Sequence, residues 1–91
     1  MEKEKIISDI TLKVGPSSYN YWRIGITNDP GAHKKYLSRT LNIDIACWSD
    51  WEAGTLSDAR EIESFFVNDK GMKGEKQREL STDKKVFVFV Y

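Results

Sequence analysis

Three observations predict a small α+β domain. Residues 86–91, Val-Phe-Val-Phe-Val-Tyr, form a continuous run of β-branched and aromatic side chains, which suits a strand buried on both faces. Asp29-Pro30 opens a stretch in which His33, Leu37 and Leu41 recur at i, i+4 and i+8, the signature of a helix. Ala59, Ile62 and Phe66 make a second helical stripe over residues 57–68. With period-two segments between them, these predict a small, mostly antiparallel sheet flanked by two helices, in the order β-β-α-β-α-β.

The elements follow in chain order. Residues 1–6 are expected to be a disordered N-terminus. Ile10, Leu12 and Val14 alternate with polar residues and predict a first strand that ends at Gly15-Pro16-Ser17-Ser18. The second strand is expected over residues 19–27, with Trp22, Ile24 and Ile26 on one face and Tyr21, Arg23 and Gly25 on the other. The short connection makes the pair an antiparallel hairpin. Asp29 is a good N-cap, Pro30 fits the first helical position, and the helix runs to about Leu41. Ile43, Ile45 and Cys47 predict a third strand, and residues 49–54 its end and a loop. Gly71 suits the end of the second helix. Residues 71–85 are a long polar connection, of the kind that carries function or moves.

Composition sets the boundaries. Ninety-one residues, 40% hydrophobic and 31% charged, make one domain with one modest core, residues 1–91. The formal net charge is zero, which argues against strong non-specific binding to nucleic acid, though not against a local basic patch. A single cysteine, no membrane-length apolar run and a charged N-terminal stretch point to a cytoplasmic protein with no membrane role. Phosphate-loop, zinc-ligand and Gly-x-Ser-x-Gly patterns are absent from the sequence. Cys47 reads as a small buried hydrophobe on a strand, and a Cys–His pair would need His33 beside it.

The informative stretch is Arg23-Ile24-Gly25-Ile26-Thr27-Asn28-Asp29-Pro30. A strand, a glycine, Ile-Thr-Asn-Asp-Pro and then a helix resemble the second half of the GIY-YIG nuclease signature. Downstream, Trp48 and Trp51 precede Ala59-Arg60-Glu61-Ile62-Glu63, which is similar to that family's glutamate helix. Gly71-Met72-Lys73-Gly74 and the final Val-Phe-Val-Phe strand are similar to the end of small bacterial members. The resemblance covers roughly residues 10–91 and implies the GIY-YIG fold. It also implies phosphodiester hydrolysis in which a tyrosine helps activate water, an arginine stabilises charge on the phosphate, and a glutamate, here Glu63, holds Mg2+ or Mn2+.

The departures from that pattern change the expected chemistry. Arg23-Ile24-Gly25 stands where Tyr-Ile-Gly belongs, Ile10-Thr11-Leu12 where Gly-Ile-Tyr belongs, and Ala32-His33 where the helix arginine belongs. Leucine transfers no proton, and an imidazole is mostly neutral at pH 7, whereas a guanidinium stays charged and grips two phosphate oxygens. General-base and electrostatic contributions therefore shrink. Tyr21, two residues before Arg23 on the same expected strand face, and a cation from Lys34, Lys35 or Arg39 are the candidate replacements.

The expected function is a degenerate GIY-YIG-like domain, catalytically weak or inactive, that binds DNA, RNA or a protein partner. The candidate catalytic residues are Glu63, Tyr21, Arg23 and His33. Arg23, Lys34, Lys35, Arg39 and Trp51 are the candidate nucleic-acid contacts, Trp51 as an exposed aromatic near a loop. Each has a plainer reading. Glu63 can be one carboxylate of a charged helix, His33 can pack with Leu37, Arg23 can pair across strands, and the lysines can form a solvated helix face. Two alternatives stay open: a divalent-metal-dependent endonuclease using Glu63, and a structural or protein-interaction domain.

Overall fold

In the computed structural model, residues 2–15, 19–41, 47–75, 80–81 and 83–91 are described. The chain opens with helix α1, Lys3–Val14, where a strand and a disordered leader were expected. Ile10, Leu12 and Val14 fit a period of two over five residues. Ile6, Ile10 and Val14 fit the helical period over nine, and the longer pattern prevails. Those three are buried, while Leu12 is 79% exposed. Gly15, at φ 84°, ends the helix, and its N–H donates to the Thr11 carbonyl. Lys3 Nζ lies 2.6 Å from a Glu61 carboxylate oxygen, so the N-terminal turn is tied to the body of the protein.

The expected hairpin is therefore absent. Tyr19–Tyr21 form a single 3-10 turn, and strand β1 covers Arg23–Thr27. Helix α2, Pro30–Leu41, begins as expected: Asp29 Oδ1 accepts the Ala32 N–H at 3.1 Å, and Pro30 occupies the first position. Strand β2, Ser49–Ala53, forms on residues read as strand end and loop. Of the strand expected at 43–47, residues 43–46 lie outside the described residues, and Cys47 sits exposed in a turn rather than buried. Helix α3, Leu56–Asn68, is capped by Thr55, whose Oγ1 accepts the Asp58 N–H at 3.0 Å. Beyond α3 the chain turns at Gly71, φ 84°, and the Met72 N–H returns to the Phe66 carbonyl. Strand β3 is only Lys73–Gly74, and strand β4 is Val86–Val90.

The four strands order as β2-β4-β1-β3. β4 runs antiparallel to both β1 and β2, and β3 runs parallel to β1. The sheet is thus mixed and mostly antiparallel, and the described residues hold three helices rather than two. The antiparallel partner of β1 comes from the C-terminal end of the chain, not from a preceding hairpin strand. Burial explains why: β4 is apolar on both faces, and only a central position covers both.

Register then separates the two faces. Ile24, Val88 and Val90 point to one side, where α1 and α3 bring Ile6, Ile10, Ala59, Ile62 and Phe66 to form the main core. Each fully buried large aliphatic or aromatic side chain there contributes about 1.5–3 kcal/mol of transfer free energy. Gly25 and Phe89 point to the other side, which α2 meets through Leu37. No helix among the described residues is long and apolar enough to cross a membrane.

Candidate functional site

The second face of the sheet carries the unusual chemistry. Gly25 and Phe89 are directly paired across β1 and β4. The Phe89 ring lies over the glycine: a Cβ added to Gly25 would stand 2.4 Å from Phe89 Cζ and 2.9 Å from Glu75 Cγ. Glycine is needed there because a ring and a side-chain stem cross the strand, and not because of an unusual backbone angle.

Around Phe89 the rings form a continuous row. Trp48 stacks on Phe89 at 4.6 Å between centroids with planes 9° apart, and on Tyr91 at 5.7 Å and 20°. On the other side the His33 ring is 4.8 Å from Phe89, and the Tyr36 ring is 6.2 Å from His33. His33 also meets Trp48 at 6.4 Å and Phe89 meets Tyr91 at 5.9 Å, so the row is a cluster in which Trp48 contacts Phe89, Tyr91 and His33, with Tyr36 at its α2 end. Trp48 is held by its indole Nε1–H, which donates to Asp50 Oδ2 at 2.7 Å. Phe89, at the centre of these rings, is fully buried, while Trp48 and Tyr91 are half-exposed.

Polar groups gather at the Tyr91 end. The Tyr91 hydroxyl donates to Glu75 Oε1. Burial first, and then the bond to Glu75, push the phenol well above its ordinary value, against a smaller opposing pull from the Arg23 guanidinium. A phenol held in this state donates a hydrogen bond at neutral pH and does not take up a proton from water. Arg23 is exposed, and its backbone N–H and carbonyl pair with Tyr91 at 2.8 and 3.0 Å.

The candidate residues are distributed unevenly about this face. Arg23 is next to it, and His33 belongs to the ring row. Glu63 lies on α3, only 8% exposed, and lines a cavity of about 600 Å3 with Arg60, Ser64, Asn68 and Glu75. The Glu63 carboxylate is a ligand type that Mg2+ or Mn2+ takes. Glu75 lines the same cavity but its Oε1 accepts from Tyr91, and the Arg60 guanidinium lines it too. Among the described residues, no three His, Cys, Asp or Glu side chains converge on a metal position. An ion held by Glu63 would therefore draw its other ligands from water and phosphate.

Three expectations are corrected. Tyr21 is 81% exposed in the 3-10 turn and shares no strand face with Arg23, because the strand starts two residues later. Trp51 is not the exposed aromatic: it pairs with Val88 on the core side of β2 and packs against the main core. Lys34, Lys35 and Arg39 are exposed on α2, but Lys35 and Arg39 fall on the side opposite the buried Leu37 and so do not join Arg23 in one patch.

Sequence reasoning missed Glu75 and Tyr91, and among the tryptophans able to stack on bases it preferred Trp51 to Trp48. Tyr91 could have been found from its spacing of two from Phe89, which puts both on one face of the last strand. Glu75 carries no comparable signal, since its place depends on the two-residue strand β3. The chain matches no family model, no curated protein and no solved structure.

Proposed function

We propose that this is a nuclease-like domain with weak or absent catalysis that binds single-stranded nucleic acid. The aromatic row beside Arg23 carries the reading. Trp48 and Tyr91, half-exposed at the edge of the ring cluster, can accept bases of any sequence, and the adjacent Arg23 guanidinium attracts the phosphate backbone. The neutral net charge fits a local contact better than a long-range electrostatic one. Weak catalysis is favoured by the residues at the resembling positions. Arg23 and His33 replace the tyrosine and the arginine of the pattern, and Tyr91 is locked as a donor to Glu75.

The test is fluorescence anisotropy with short labelled single-stranded DNA and RNA at low salt. Affinity is expected to fall as salt rises and to persist when divalent metal is removed. Trp48→Ala removes a stacking partner worth about 1–3 kcal/mol and weakens binding about five- to 150-fold. Arg23→Ala flattens the salt dependence. No binding of either oligonucleotide at low salt would refute the reading.

One observation keeps metal-dependent cleavage as a second reading: Glu63 and Glu75 line the same cavity. It predicts Mg2+- or Mn2+-dependent cleavage that Glu63→Ala abolishes.

A further inference from the structure

At the α2 end of the ring row lies a separate cavity of about 350 Å3. That volume is at the small end of ligand pockets and matches one nucleoside rather than a dinucleotide cofactor. The cavity is walled by Leu80 and the rings of His33 and Tyr36, with strand β1 at Ile26 and Thr27 as its floor. Asp29 stands on the rim.

The cavity is pre-shaped. Asn28 Nδ2–H2 donates to the Ser81 and Lys85 carbonyls, each at 3.0 Å, and Asn28 Oδ1 accepts the Ser81 N–H at 2.9 Å. These bonds fix Ser81, the neighbour of Leu80, against Asn28 at the edge of the cavity.

The rim decides which part of a nucleotide fits. The start of α2 offers little to a phosphate: Pro30 has no N–H, and the Ala32 and His33 N–H groups already donate to the Asp29 carboxylate and carbonyl. The negative charge of the carboxylate repels an anion. A carboxylate accepts only, and it has lone pairs beyond the one Ala32 uses. Asn28 and Ala32 complete the lining, and the Asp29 carboxylate is its one formal charge. A mostly apolar cavity with a carboxylate at its mouth favours a neutral planar ring with an exocyclic NH2 over one such as uracil, whose N–H lies between two carbonyl oxygens that the carboxylate repels.

We propose that this cavity is a subsite for one nucleobase bearing an exocyclic amine, such as adenine or cytosine, with the ring against Tyr36 and His33 and the amine donating to Asp29. The biological meaning of the subsite rests on the single-strand reading above: the His33 ring that walls the cavity also meets Phe89 at 4.8 Å, so a base held there adjoins the rings on the sheet.

The experiment titrates the 15N-labelled full chain with adenosine, cytidine and uridine up to about 10 mM, a range that detects millimolar affinity. Adenosine and cytidine are expected to shift the amides of Ala32, His33, Tyr36 and Leu80, and uridine to bind about tenfold more weakly. Asp29→Asn keeps a good helix cap and erases that preference. Absence of shifts at these amides with every nucleoside overturns the subsite, and equal binding of uridine overturns the role of Asp29. The oligonucleotide anisotropy above separates the two claims. Oligonucleotide binding without nucleoside shifts removes the subsite and leaves the single-strand reading standing. Nucleoside shifts without oligonucleotide binding do the reverse.

Discussion

Replacing Gly25 by alanine should destabilise the protein, although alanine is the better residue for a strand. The Gly25 backbone has no positive φ, so alanine meets no conformational barrier. By itself the change should stabilise by about 0.4–1 kcal/mol through loss of unfolded-state freedom. Against this stands the new methyl group, 2.4 Å from Phe89 Cζ and 2.9 Å from both Phe89 Cε1 and Glu75 Cγ. Contact between carbons is comfortable near 3.5–4.0 Å, so the ring must retreat by about 1 Å or more. Phe89 is fully buried and has Trp48 stacked at 4.6 Å and His33 at 4.8 Å, which leaves little room for retreat. Overpacking of this kind costs about 1–3 kcal/mol, and a ring confined on two sides puts it in the upper part of that range, about 2–2.5 kcal/mol, which leaves a net loss of about 1–2 kcal/mol. In a domain of this size that lowers Tm by roughly 5–15 °C, measured by thermal or urea unfolding followed by circular dichroism. Phe89→Leu costs stability itself, but in its background the alanine penalty should disappear, a coupling of about 1 kcal/mol or more. Unchanged or increased stability in Gly25→Ala would show that Phe89 does not cross the strand there.

Two further outcomes follow from named bonds. Asn28→Ala removes three hydrogen bonds to the loop and should cost about 1–3 kcal/mol. The Ser81 amide, which donates to Asn28, should then exchange its hydrogen faster while Val88 in the sheet centre tracks only global stability; unchanged Ser81 exchange would contradict the fastening. Tyr91→Phe tests the raised phenol. In the folded protein this group keeps its proton above its ordinary value of about 10, whereas the unfolded chain releases it there, so the unfolded state binds fewer protons and stability falls as pH rises past about 10. The variant should show a shallower fall between about pH 9 and pH 11 in urea melts, and an identical slope would show that Tyr91 is not linked to folding.

Strong local signals made parts of the fold legible in the sequence. Residues 86–91 are apolar on both faces, and only a central strand accommodates that. Asp29-Pro30 marks a helix start that the backbone uses as written. Helix α3 follows its Ala59, Ile62, Phe66 stripe. The N-terminal segment was ambiguous because Ile10 and Val14 serve both periods, and only Ile6 separates them. β2 was obscured because its solvent-side residues, Asp50 and Glu52, break an apolar reading and Gly54 follows at once. The site was less legible than the fold. Whether Trp48 or Trp51 faces the rings depends on strand register, since one residue of slip exchanges the two faces. Glu75 and Tyr91 are sixteen residues apart and meet only because β3 and β4 flank β1. Tertiary pairing of that kind leaves no periodic trace.

The most direct test of single-strand binding follows the indole N–H signals of Trp22, Trp48 and Trp51 in the 15N-labelled protein as single-stranded DNA is added, with Trp48→Phe to assign the signals. Stacking on the ring row predicts that the Trp48 indole and the Phe89 and Tyr91 amides shift while Trp22 and Trp51, packed against the other side, stay in place. Shifts at Trp22 or Trp51 with Trp48 unmoved, or no shifts at any of the three, would contradict the account.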